Sequence, residues 1–278
     1  MILKKIYDKT FLSWICKVQN YLARKSILDS TGVHVSLTSF GFRIDSVFYT
    51  IESIARGYIK PSRLILWLDN DYDFNQLPAS LLRLKKRGLE IRKTENVGPH
   101  KKYFPYVNEC FDGSTPLVTA DDDILYPKFW LANLLSSYNQ NPNLVICYRA
   151  HKVVIDDELE QVGAFCLWTM CTNDEPSFLN HATGCSGVIY PPLMQNALVK
   201  AGNSFKDKCL FGDDIWLHAI ALRNGIKVKQ VYKKHLDFTA IPFTQKGALK
   251  WENASGKNDM QASLTYTKTD IERMRENI

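Results

Sequence analysis

Apolar side chains in residues 1–26 fall at Leu3, Tyr7, Phe11, Trp14, Val18 and Tyr21. Steps of three and four residues predict one face of a helix. From Val33 the pattern changes. His34-Val-Ser-Leu-Thr-Ser-Phe40 reads as a strand, and Ile44, Val47, Phe48, Ile51, Ile54 and Ala55 make a helical face that stops near Gly57. Pro61 precedes Arg63-Leu-Ile-Leu-Trp-Leu-Asp69, a continuous apolar run of the kind a strand buried on both faces requires. Leu77 to Lys86 predicts a short helix stopped by Gly88, and Leu89-Glu-Ile-Arg92 a third strand. Residues 100–110 read as helical, with Pro105 breaking or kinking them. Pro116-Leu-Val-Thr-Ala120 is a fourth strand. Pro127 opens a helix with the apolar face Phe129, Ala132, Leu135 and Tyr138, and Leu144-Val-Ile-Cys-Tyr148 is a further strand.

This alternation predicts an α/β fold: a mostly parallel central sheet with helices on both faces, plus the N-terminal amphipathic helix. In such sheets ligands bind beyond the carboxyl ends of the strands. Thr38-Ser39, Asp69 and the triplet Asp121-Asp122-Asp123 all fall there. The second half is less regular. Residues 163–180 show no clean period, and Gly184-Cys-Ser-Gly187 is a small-residue loop leading to Val188-Ile-Tyr-Pro-Pro192. Asp213-Asp214 open a helix that ends at Gly225, followed by a strand from Ile226 to Tyr232. The expected organisation is a basic amphipathic helix over 1–30 and one domain over 31–278, whose polar tail begins at about 236.

Charge changes the reading of the first helix. Residues 1–26 carry Lys4, Lys5, Lys9, Lys17, Arg24 and Lys25 against Asp8 alone, out of a net charge of +6 for the whole chain. The nearly neutral body argues against nucleic acid as a partner. The helix fits two placements: on an anionic membrane surface, or packed on the body or a second subunit. No apolar run is long enough to span a bilayer, and the N-terminus lacks a leader pattern, so a non-secreted protein is expected. Seven cysteines without a Cys-x-x-Cys spacing argue against a disulfide framework or a zinc knuckle.

The chemistry concentrates in Thr119-Ala-Asp-Asp-Asp-Ile-Leu-Tyr126. Three adjacent carboxylates at a strand end repel, and a divalent cation accompanied by phosphate is their natural neutraliser. In extended backbone alternate side chains point the same way, which groups Asp121 with Asp123 and turns Asp122 elsewhere.

The ordered set Val35-Ser-Leu-Thr-Ser-Phe40, Ile65-Leu-Trp-Leu68, His100-Lys-Lys-Tyr103, Thr119 to Pro127 and Asp213-Asp-Ile-Trp-Leu217 resembles the GT-A glycosyltransferases. It is most similar to the family 2-like bacterial enzymes of capsule and lipopolysaccharide synthesis. The resemblance covers roughly Val33 to Tyr232. It implies a GT-A, Rossmann-like fold, a nucleotide-diphosphate sugar donor of UDP-sugar type, and a Mn²⁺ or Mg²⁺ ion on the diphosphate. It also implies a glycan or lipid-linked acceptor in surface polysaccharide synthesis. The expected location is cytoplasmic, with peripheral attachment to the inner membrane face. Asp123 and Asp121 are the implied metal ligands, with His235 as a third. Asp214 is the implied base of an inverting transfer, supported by Asp213. Thr38, Arg43, Asp69, Lys101, Asp121 and Asp122 are the implied donor-binding residues.

Secondary candidates are His218, one turn from Asp214 and able to tune it, Trp168 as a sugar platform, and Gly256 to Asp259 as a cover for the donor. His151 and His181 have no ligand spacing and read as structural. Two rivals remain: a sugar-phosphate nucleotidyltransferase and a non-catalytic scaffold. The first lacks its Gly-rich, Arg-containing phosphate loop, and the intact acidic sites oppose the second.

Overall fold

The computed structural model describes residues 2–242, 244 and 256–276, with side chains from residue 10 onward. In chain order the elements are α1 Ile2–Leu22, β1 His34–Thr38, α2 Val47–Ala55, β2 Arg63–Asp69, α3 Ala79–Lys85, β3 Leu89–Thr94, α4 Phe104–Glu109 and β4 Leu117–Ala120. Then come β5 Ile124–Leu125, α5 Trp130–Gln140, β6 Val145–Cys147, β7 Ala150–Lys152, β8 Ile155–Asp156, β9 Gln161–Val162, β10 Thr169–Met170 and β11 Asn180–Ala182. The chain continues through β12 Val188–Tyr190, α6 Pro192–Ala201, α7 Asp213–Arg223, β13 Val228–Gln230 and β14 Thr239–Ala240. Helices Asn258–Thr265 and Lys268–Arg275 follow.

Seven strands form one sheet in the order β13-β6-β12-β4-β1-β2-β3. All neighbours are parallel except β12, which runs antiparallel to both β4 and β6. Side chains alternate across the sheet, so β2 feeds two cores. Leu64, Leu66 and Leu68 of β2 join the residues of α2, α3 and α5. Ile65 and Trp67 of the same strand join those of α4, α6 and α7 on the other face. Burial on both faces is why the β2 sequence is apolar without interruption. A smaller sheet, β10-β7-β11, and the β14–β5 pair lie outside the main sheet.

Two local expectations change. Pro105 lies in the first turn of α4 and starts that helix, because its missing N–H falls where no intrahelical bond is due. Helix α5 begins at Trp130, three residues after Pro127, and turns Trp130, Leu131 and Leu134 inward. All seven cysteines are free thiols. No helix among the described residues is long and apolar enough to cross a membrane.

Helix α1 packs against the body with the face opposite to the one its apolar periodicity marks. Asn20 is buried, donates to Glu52 Oε1 at 3.0 Å and to the Ser80 carbonyl at 3.1 Å, and accepts from Arg83 Nε at 2.8 Å. Gln19 and Arg87 add further bonds to the fully buried Glu52 carboxylate. Cys16 closes the inner face against Leu125 and Ile241. Phe11, Trp14 and Tyr21 stay exposed, while Leu3 and Tyr7 lie outside the described side chains.

Candidate active site

The carboxyl ends of β1, β2 and β4 meet the start of α7 around one open cavity of about 640 Å³. Thr38, Arg43, Asp69, Lys101, Asp121, Asp122, Asp123, Asp213 and Asp214 all line it. Residues separated by about ninety positions in the sequence thus converge, because α7 packs beneath the same sheet whose strand ends carry the triplet.

The triplet occupies a turn between β4 and β5, and strict alternation of its side chains does not hold. Asp121 accepts from Lys102 Nζ at 2.5 Å, and its backbone N–H donates to the Tyr126 hydroxyl at 2.9 Å. Asp122 turns back toward β1. It accepts from Ser39 Oγ at 2.6 Å and Arg43 Nη1 at 2.9 Å, so its carboxylate pins the loop to the sheet. Asp123 Oδ2 lies 3.3 Å from the same Arg43 Nη1. Burial, reinforced by Asp121 and Asp122, raises the Asp123 carboxyl to about 6. Thr50 fixes the loop backbone by donating to the carbonyls of Asp122 and Ile124 at 2.9 and 2.8 Å.

The α7 side of the cavity is built around Gly184. Its N–H donates to both carboxylate oxygens of Asp214 at 3.1 Å. A Cβ at this position would lie 3.1 Å from Asp214 Oδ1, so a larger residue would press on that carboxylate. Burial first, and then the neighbouring Asp213, raise the Asp214 carboxyl to about 8. Such a group is poised to take a proton near neutral pH.

Lys102 joins the two halves. Its ammonium contacts Asp121 and lies 3.7 Å from Asp213 Oδ2. Burial opposes its charge, but Asp121, Asp213 and Asp214 outweigh that and hold its pKa well above the ordinary value. The turn Gly98–Lys102 that presents it is clipped by His100. The His100 ring pairs with the Tyr103 hydroxyl and with the Cys209 carbonyl, each at 2.7 Å, and stacks on Phe205. Burial lowers the His100 pKa to about 4, which keeps it neutral. Lys101, an implied donor-binding residue, lines the cavity and forms an ion pair with Asp69.

Several expectations are corrected. His235 does not line the cavity; it lies 3.7 Å from Asp237, which does. Two residues further along an irregular segment, the chain has turned inward. His218 does not contact Asp214. Its ring is held by the Tyr266 hydroxyl at 2.7 Å and the Phe178 carbonyl at 2.9 Å. Trp168 is core, whereas its neighbour Phe165 lines the cavity. The 256–259 segment approaches the Phe165 and Phe211 side: Asp259 accepts from the Phe165 N–H at 2.6 Å, and Lys257 lies over the Phe211 ring. Trp216 is core as well.

Sequence reasoning missed Arg149, His151, Gly184, Cys185 and Asp237 as wall residues. Gly184 and Cys185 carried a signal, as part of the small-residue loop Gly184 to Gly187. Arg149 Nη1 lies 3.1 Å from Cys185 Sγ and 3.6 Å from Asp237 Oδ1.

Among the described residues no three His, Cys, Asp or Glu side chains form a ready coordination set. The donor chemistry nevertheless fits a hard divalent cation completed by phosphate oxygens. Two wall carboxylates, Asp121 and Asp123, border the cavity, and such ions are held by one or two carboxylates plus a substrate's phosphates.

No protein-family model matches the sequence, and no curated protein matches it. Solved structures do. A mannosyltransferase, PcManGT from Pyrobaculum calidifontis in complex with GDP-Man and Mn²⁺, is 14% identical with a TM-score of 0.50 over 93% of this chain and 71% of that one. A crystal structure of S. aureus TarS 1–349 is 11% identical with a TM-score of 0.48, over 73% of this chain and 58% of that one. The chain therefore spans little more than half of the TarS structure. The mannosyltransferase likeness shows the fold: a GT-A-type α/β arrangement with a mostly parallel central sheet.

Proposed function

We propose that the protein is a metal-dependent glycosyltransferase. It moves a sugar from a nucleotide-diphosphate donor to a glycan or lipid-linked acceptor, with inversion at the anomeric carbon. The observation that carries this reading is the convergence of the Asp121–Asp123 loop, Lys102 and the Gly184-held Asp214 on one cavity. The likeness to a structure holding GDP-Man and Mn²⁺ supports it and widens the donor panel to UDP- and GDP-sugars. Acceptors of surface polysaccharide type, such as capsule or lipopolysaccharide chains, fit the resemblance in sequence.

In this reading residues 31–125 hold the donor. Thr38 and Asp69 border the nucleoside end. Lys102 and Arg43, whose Nε has no hydrogen-bond partner among the described residues, face the diphosphate charge. Asp123 and Asp121 hold the ion, which when bound offsets the negative charge that grows on the departing diphosphate. Residues 126–235 hold the acceptor beside Asp214. The acceptor hydroxyl gives its proton to the Asp214 carboxylate. Its oxygen bonds to the anomeric carbon while the bond from that carbon to the diphosphate oxygen breaks, and the electron pair leaves with the nucleoside diphosphate. Asp213 and Lys102 orient and balance that carboxylate.

The test is donor turnover across UDP- and GDP-sugars with Mn²⁺ and with chelator, in wild type, Asp123→Ala and Asp214→Asn. Turnover should require the metal and vanish in both variants, and Asp214→Asn should keep metal-dependent nucleotide binding. Undiminished turnover in Asp123→Ala, or in chelator, would reject the metal assignment. Formation of a nucleotide sugar and pyrophosphate from a sugar 1-phosphate and a nucleoside triphosphate instead would favour the nucleotidyltransferase.

A further inference from the structure

We infer that the outward face of α1 is a docking surface for an anionic lipid membrane. The helix is inverted relative to an ordinary surface helix. Its inner face is small and polar, anchored by Cys16, Gln19 and Asn20. Its outer face carries Trp14 at 59%, Tyr21 at 57% and Leu22 at 71% exposure, with Phe11 at 50% and stacked on Trp14 at 6.2 Å between ring centroids. The helical repeat places all four on one stripe. Large aromatic and aliphatic side chains on one stripe mark an interaction face, because burying that area elsewhere would favour the fold.

Charge decides between occupants. Lys17 on α1 and Arg24 and Lys25 just past its end are exposed, and the whole segment 1–26 holds six basic residues against Asp8 alone. A second copy related by a two-fold axis would bring this patch against itself and oppose like charges. Anionic headgroups neutralise the same lysines and arginine while the interface takes up the aromatics, as a helix lying in the membrane plane does.

The placement has a consequence for the cavity. The inner side of α1 packs through Leu12 and Cys16 on Leu125 and Ile241, and the Ile241 N–H donates to the Asp123 carbonyl at 2.7 Å. A membrane against the outer face would lie about one helix diameter, roughly 10 Å, from the acidic loop's support. The inference stands on α1 alone and does not depend on the transferase reading.

The experiment is co-sedimentation of the full chain with phosphatidylcholine vesicles containing or lacking about one third phosphatidylglycerol, at low and high salt. Wild type should sediment with the anionic vesicles at low salt and much less with the neutral ones. Trp14→Ser/Leu22→Ser should lower binding at least about tenfold with an unchanged melting temperature, since both side chains face outward. Lys17→Gln/Arg24→Gln/Lys25→Gln should remove the salt-sensitive part. Absence of sedimentation, or sedimentation that neither variant alters, overturns the inference. So does a wild-type dimer in gel filtration that Trp14→Ser/Leu22→Ser converts to monomer, because the face is then a self-interface.

Discussion

Replacing Lys102 by Met tests whether one ammonium holds the two halves of the cavity together. The substitution keeps an unbranched side chain and removes a cation in contact with Asp121 and 3.7 Å from Asp213. At that separation and an effective dielectric constant of about 20, unit charges attract by roughly 4.5 kcal/mol. Desolvation of the ammonium offsets part of this, and breaking buried pairs by removing one partner costs about 3–5 kcal/mol. The Lys102 side chain is 16% exposed and the carboxylates left behind can take up protons, which places the loss near about 3 kcal/mol when they stay charged. The sign with pH follows from the raised carboxyl groups. A carboxyl whose folded pKa lies above its unfolded value favours folding at low pH, and that contribution is lost as pH rises through the folded value. Asp214, already raised to about 8, moves higher without Lys102. The variant should therefore lose little at about pH 5 and most at about pH 9, where its melting temperature should fall by roughly 6 °C. Thermal unfolding of wild type and variant across pH reads this directly. A pH-independent difference, or a variant as stable as wild type at the alkaline end, would refute the electrostatic account of Lys102.

Three further outcomes follow from the same geometry. With Asp214 as base and a carboxyl pKa of about 8, kcat/KM should rise with pH and level off above that value; a profile that is flat or falls over the range removes Asp214 from the role. Glu52→Ala leaves Arg87 buried without its carboxylate and Asn20 short of an acceptor, so denaturant titration should show a loss of about 3–5 kcal/mol, whereas a loss near zero would mean α1 is not anchored there. Gly187→Ala combines a φ of +90° with a Cβ placed 2.6 Å from Trp130 Nε1, and should lower stability by more than about 3 kcal/mol; a stable variant would show that the Trp130 ring can move away.

The regular half of the fold was legible because its rules are local. The unbroken apolar run within Arg63–Asp69, glycine at the helix stops and acidic residues opening α7 each act within a few residues. The nine donor and base candidates other than His235 line one cavity, because the carboxyl ends of parallel strands must share a rim. What was illegible depends on partners distant in sequence. Two adjacent lysines look alike, yet Lys101 meets Asp69 from β2 while Lys102 meets Asp121 and Asp213. The difference comes from the His100 clip to Cys209, which lies more than a hundred residues away. His235 misled for a related reason: in an irregular segment the inward direction has no period, and the cavity received Asp237 instead.

Helix α1 shows why periodicity identifies a face without saying what covers it. The stripe through Phe11, Trp14, Val18 and Tyr21 was visible in the sequence, and the usual rule assigns such a stripe to the core. Glu52 reverses the assignment. A fully buried carboxylate between α2 and α1 demands donors, and Arg87, Gln19 and Asn20 supply them. Satisfying that charge with two amides from α1 turns the amide face inward. On a helix with aromatics opposite the amides, the same rotation turns the aromatics out. The buried polar network therefore sets the orientation of the helix, and the exposed stripe follows from it. Disrupting the network should release the orientation: a Glu52→Ala chain that remains folded should lose the vesicle binding that Trp14 and Leu22 give the wild type. Retained binding would mean that the stripe acts without the anchor beneath it.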